Sequence, residues 1–203
     1  MKTIFLHGLG QTGKSFDKTI EFMGINDALT PELFSLTNDK HDFDSLCRAT
    51  FEYLDNIDGE LNICGLSLGA VLALKYAAER PERVASLALI AAQYKPPKIL
   101  LRLQDLLFVL MPEKNFEGVG LSKSDFRTLC RSMADIDLTG EVSRITCPTL
   151  LIIGENDKPN LGASKKLARL INGARLSVVK NSGHEVNLDV PEALAKLLSE
   201  FTD

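Results

Sequence analysis

The sequence predicts an α/β fold, a three-layer α/β/α sandwich around a mostly parallel sheet of about six strands, and three observations carry that prediction. Short apolar runs alternate with amphipathic stretches along most of the chain, the rhythm of strand–helix–strand units. Residues 150–153 are continuously apolar, as strands buried on both faces are, and 61–64 are apolar except for Asn62. The chain has 203 residues, 45% hydrophobic and 25% charged, which suffices for one such core and is short of two.

Taken in order, residues 3–6 form a strand and 15–23 a helix, and 29–35 is a weakly marked strand. Residues 43–56 form a helix with Phe43, Leu46, Cys47, Thr50, Tyr53 and Leu54 on one stripe and Asp44 and Glu52 turned away, so it covers a sheet face. Strands follow at 61–64, 86–91, 149–153 and 175–179, with helices at 70–79, 162–171 and 192–201. Between 92 and 147 the rhythm breaks. Two helical patterns, 99–111 and 122–134, are expected to form a helical cap inserted at about 93–146 of a single domain spanning 1–203. The first pattern is apolar over more than one face. Being about thirteen residues long and interrupted by Arg102, Gln104 and Asp105, it does not suit a membrane span. Three uses remain open: packed core, a dimer or interfacial surface, or an apolar pocket wall in which Leu107 and Phe108 meet substrate.

The segment Gly65-Leu66-Ser67-Leu68-Gly69 lies where a strand meets a helix. A turn that sharp requires flanking positions almost free of side chain, which Gly65 and Gly69 supply, and it projects Ser67 from the sheet as a possible nucleophile. The N-terminus of the following helix brings backbone N–H groups to the same spot, where an oxyanion would form.

A serine hydroxyl needs a general base, and the base needs an acid to orient it. Of three histidines, His184 in Asn181-Ser182-Gly183-His184-Glu185 follows a strand and is placed on a loop. His41 lies in a charged stretch, and His7 ends the first strand, where structural support of the loop is its expected role. The acid is expected after the strand at 149–153, in Gly154-Glu155-Asn156-Asp157, with Asp157 first and Glu155 as the alternative. The order Ser67, Asp157, His184 fits one architecture.

Four segments in sequence, His7-Gly8-Leu9-Gly10, Gly65 to Gly69, Gly154 to Asp157 and Gly183-His184 with Pro191-Glu192, give a chain that resembles the alpha/beta-hydrolase superfamily over most of its length. The resemblance implies a small esterase- or lipase-like serine hydrolase lacking the superfamily's first strand pair. It makes Ser67 the nucleophile, His184 the base and later the acid, and Asp157 its orienting partner, with the backbone N–H groups of Leu9 and Leu68 as oxyanion hole. Gly10 and Gln11, next on the same loop, are then candidates for substrate contact. The implied reaction is hydrolysis of a small, hydrophobic carboxylic ester or thioester, with no cofactor.

Two other readings remain open. Gly8-Leu9-Gly10-Gln11-Thr12-Gly13-Lys14-Ser15 matches the phosphate-binding pattern G-x-x-x-x-G-K-S, although the run 87–92 ends in Gln93 rather than in a carboxylate. A non-catalytic ligand receptor on the same fold is the other. Net charge of −4, with 27 acidic and 23 basic residues, argues against a nucleic-acid partner. The cysteines Cys47, Cys64, Cys130 and Cys147 have no metal-ligand spacing, so no metal is expected, and reduced buried thiols fit the cytoplasm. A secretory leader is not evident, stable membrane insertion is not expected, and a homodimer is a possibility.

Overall fold

The computed structural model describes residues 1–37, 40–96, 98, 108–116 and 120–202. Five strands, β1 (Lys2–Leu6), β2 (Leu61–Leu66), β3 (Val84–Ile90), β4 (Thr149–Gly154) and β5 (Arg175–Val179), lie side by side in that order, every neighbouring pair parallel. Parallel neighbours need crossovers, and these are helices.

Helices α2 (Phe43–Asp55), α3 (Leu68–Glu79) and α5 (Lys158–Leu170) pack on one face of the sheet, in a core that includes Leu46, Leu54, Leu72, Tyr76, Leu89 and Leu167. On the other face, α1 (Asp17–Met23) and α7 (Pro191–Thr202) cover Phe5, Ile90 and Ile152, in a core that Phe16 and Leu194 complete. A short helix, α6 (Val186–Asp189), precedes α7. α3 is buried nearly all round, consistent with its Leu-Gly-Ala-Val-Leu-Ala-Leu run.

The expected strand at 29–35 is reduced to one bridge residue. Leu29 donates to Thr3 O and accepts from the Phe5 N–H, both at 2.8 Å, along the outer edge of β1. Pro31 has no N–H to continue a ladder, and Leu33 sends its N–H to His7 Nε2 at 3.1 Å, so the chain turns into a 3-10 segment at Leu33–Ser35. Other limits move by a few residues. β2 runs on to Leu66, the 15–23 helix opens with a 3-10 turn at Gly13–Phe16, and α5 starts four residues earlier than expected, directly after Asp157.

In the 93–146 segment, α4 (Lys123–Ser132) begins at Ser122, whose side chain accepts from the Asp125 N–H, and continues as a 3-10 turn at Met133–Asp135. Most of the expected 99–111 helix, Leu107 included, lies outside the described residues. Residues 108–110 are helical, and Lys123 Nζ donates to Val109 O at 3.0 Å and to Met111 O at 2.6 Å, satisfying carbonyls at that helix end. The segment is stitched at its base. Leu138 N donates to Tyr94 O at 2.9 Å, and Lys95 and Lys98 pair with Asp137 and Asp135. Among the described residues no helix is long and apolar enough to cross a membrane.

Candidate active site

All five strands point their C-terminal ends the same way, so the loops that follow β1, β2, β4 and β5 gather at one rim of the sheet. Ser67 stands between β2 and α3 with φ 52° and ψ −109°. A side-chain-bearing residue held at positive φ costs on the order of 1–3 kcal/mol. The surroundings enforce it: Ser67 N donates to Ile90 O at 2.9 Å, and Val71 N closes the first helical turn on Ser67 O. A Cβ on Gly65 would sit 2.4 Å from Gly69 O, and one on Gly69 would sit 2.0 Å from Leu6 O, so neither position admits a side chain.

Gly8 brings the β1 loop against this turn, because a Cβ there would lie 2.6 Å from the Leu66 side chain and 3.6 Å from Ser67 Cβ. Leu9 follows, half-buried, on the same turn, and Leu68 opens α3, whose first-turn N–H groups lack helical partners. Gly10 has φ 85° in a turn closed by Gln11 N on Gly8 O, with open space where a side chain would be. Gln11 is buried, and its amide is engaged. Nε2 donates to Glu185 Oε1 at 2.9 Å, and an amide pair joins it to Asn187, which also donates to Ser15 O. Phe108 packs edge-on against Phe116 and Phe126 in an aromatic cluster of the 93–146 segment.

His184 and Asp157 are brought together by main-chain packing of their loops. A Cβ on Gly154 would lie 2.1 Å from Gly183 O, Asn156 N donates to Ser182 O, and Glu155 N donates to Val179 O. His184 Nδ1 then lies 2.8 Å from Asp157 Oδ2, with the imidazole side chain 42% exposed and the carboxylate 4%. Burial, the largest influence on Asp157, pushes its carboxyl up, yet the hydrogen bonds from His184 and Asn160 outweigh it and hold the group below the ordinary range. Glu155, the alternative acid, instead accepts from Asn181 N at 2.6 Å.

Two residues of this cluster escape a reading of the sequence. Asn160, in the first turn of α5, donates from Nδ2 to both Asp157 oxygens, at 2.8 and 2.9 Å. Gln93 donates to Asn160 Oδ1 at 2.6 Å. The Asp157-x-x-Asn160 spacing at a helix start, where i and i+3 share a face, is the signal that could have revealed the first. Gln93 carries only its position just beyond a strand end.

The Gly8–Ser15 loop does not offer a phosphate cradle. Gly13 N donates to the Glu32 carboxylate at 3.1 Å, and a Cβ on Gly13 would meet Thr30 O at 2.3 Å, so a negative group and main chain already fill that side. All four cysteines are buried; burial raises the Cys47 thiol to about 12 and pushes Cys64 and Cys147 up as well. These three are not nucleophiles near neutral pH.

The chain is 28% identical over 115 residues to a proline iminopeptidase of Saccharolobus solfataricus, a match covering 51% of the chain and 35% of that enzyme. It is 25% identical over 189 residues to a pimeloyl-[acyl-carrier protein] methyl ester esterase of Nitrosomonas europaea, covering 73% of the chain and 74% of the esterase. A crystal structure of a hydrolase from Pseudomonas aeruginosa PA01 shares the fold with a TM-score of 0.83 at 18% identity, over 98% of this chain and 89% of the other. The model of the alpha/beta hydrolase family matches residues 3–197, and with that match spanning β1 to α7 the chain belongs to this family.

Proposed function

We propose that the protein is a serine hydrolase that cleaves carboxylic esters or thioesters of small, hydrophobic substrates. The observation that carries the reading is Ser67 itself, held at positive φ between a strand and a helix where Gly65 and Gly69 admit no side chain and Gly8 packs close. Backbone strain of this kind at a nucleophile position persists where it serves chemistry.

In the proposed reaction, Ser67 Oγ attacks the substrate carbonyl while His184 takes its proton, and Asp157 holds the imidazole in the required tautomer. The N–H groups of Leu68 and Leu9 receive the oxyanion of the tetrahedral intermediate. Collapse expels the alcohol or thiol, which takes the proton from His184, and leaves an acyl-serine. Water, deprotonated by His184, attacks that acyl group, and release of the acid restores Ser67. The names of two similar proteins, an esterase and a peptidase, fit acyl transfer, and an apolar acyl group suits the leucine-rich 93–146 segment.

The test is turnover of a p-nitrophenyl ester chain-length series by wild type and Ser67→Ala, alongside labelling with a fluorophosphonate. Wild type is expected to turn over and label, and Ser67→Ala to do neither, with kcat lower by about 10⁴ or more. A folded wild type that neither labels nor turns over sinks the proposal; labelling without turnover points to the ligand-receptor use of the fold.

A further inference from the structure

We propose that Asn160, fixed in one orientation by Gln93, is a positioning residue that keeps the Asp157 carboxylate aimed at His184; the inference rests on the serine-hydrolase reading above.

The orientation follows from the partners. An ionised carboxylate only accepts hydrogen bonds, so an amide that touches both its oxygens must present its NH2 group. Asn160 does so at 2.8 and 2.9 Å, which turns its Oδ1 away from Asp157 and obliges that oxygen to find a donor. Gln93 Nε2 is that donor, at 2.6 Å. With the Asn160 amide so fixed, its NH2 and the His184 Nδ1–H converge on Asp157 Oδ2, and the two nitrogens are 3.1 Å apart. Rotation of the carboxylate away from the imidazole would also strain the bonds from Asn160.

Each member is anchored independently. Asn160 N donates to Asp157 O at 3.2 Å in the first turn of α5. Gln93 comes from another strand end, two residues beyond Ala91, which has φ 52° and an N–H bonded to Ile152 O at 2.9 Å. That strained turn delivers Gln93 to the first turn of α5, at the point where the chain leaves the sheet for the 93–146 segment. The other carboxylates on the neighbouring loops are directed elsewhere: Glu155 to Asn181 N, Asp189 to Gly183 N and Glu185 to Gln11. A neutral donor suits the position. A lysine here would compete with the imidazole for the carboxylate, and an aspartate would repel it.

The test compares wild type with Asn160→Ala, Asn160→Ser and Gln93→Leu. Asp157 is followed by a 13C-carboxyl titration, assigned with Asp157→Asn, and kcat and KM for p-nitrophenyl butyrate are measured across pH. For Asn160→Ala, kcat is expected to fall about tenfold, the scale of one hydrogen bond to a charged group, with KM changed less than about twofold. The Asp157 titration should move to higher pH because a donor favouring the ionised form is gone, and the acidic limb of kcat/KM should move the same way because the carboxylate's charge then falls more fully on the protonated imidazole. Asn160→Ser, which retains a donor, should recover part of both, and Gln93→Leu should move both in the same direction by less. A titration and a pH profile that stay in place while kcat falls overturn the positioning role. The carboxyl titration needs no turnover, so it decides this inference even if wild type proves inactive, the result that would overturn the underlying reading. Should Asn160→Ala not fold, Gln93→Leu carries the same test.

Discussion

His7 and His184 are the same side chain under opposite constraints. His7 is fully buried, and because its Nε2 accepts the Leu33 N–H, the proton must sit on Nδ1, which donates to Gly8 O at 2.9 Å. Burial pushes its pKa down, and the Gly8 bond and Glu32 oppose that shift without cancelling it. The folded state therefore binds fewer protons than the unfolded chain between the lowered value and about 6.5, so His7 subtracts stability as pH falls through that window. Urea midpoints of wild type are expected to drop from pH 7 to pH 5, and His7→Gln, which can still accept from Leu33 N, should show a flatter dependence; equal slopes in both proteins would refute this. His184 instead leaves its ring partly open to solvent with one nitrogen on Asp157, the arrangement a proton-transferring residue requires.

At the scale of elements, the strands were legible in the sequence because buried parallel strands are predominantly apolar, with single polar residues such as Asn62 and Ser86 inside them, and all five lie within two residues of their expected limits. The 29–35 segment misled because Leu29, Leu33 and Phe34 supply the apolar content of a strand, while Pro31 and the His7 acceptor withdraw the N–H groups that a strand needs. Asp157 and Glu155 could not be separated by spacing; the hydrogen bond from Asn181 N, supplied by a loop twenty-six residues away, distinguishes them. Gln93 was illegible for the same reason, since its contact with Asn160 exists only once strand ends converge. The approach of the β4 and β5 loops depends on Gly154, where a side chain would strike Gly183 O. Gly154→Ala is expected to cost about 1–3 kcal/mol of stability, as overpacking does, and to lower kcat by displacing His184. Chemical denaturation and ester turnover check both, and an unchanged kcat would show that the loops adjust without moving the imidazole.

For the whole molecule, the two half-cores differ in how they are closed. The α2, α3 and α5 face extends into the 93–146 segment through Phe116, Phe126 and Leu129, whereas the opposite face is sealed by the first and last helices, α1 and α7. On that second side the β1 loop and the histidine loop are joined by the Gln11–Asn187 amide pair, both residues buried and 176 positions apart in the chain. Unsatisfied, either amide would be costly to bury, so the pair makes the two loops interdependent. Contacts of such sequence separation come late, because the entropy of closing the intervening chain is lost before they form. During refolding from urea, helical circular dichroism is expected to recover before Ser67 becomes reactive to a fluorophosphonate, and coincident time courses would count against that order. A nascent chain would thus hold most of its sheet and helices while still inert, and the appearance of a reactive serine would act as a clock marking the moment the segments around Gln11 and Asn187 meet.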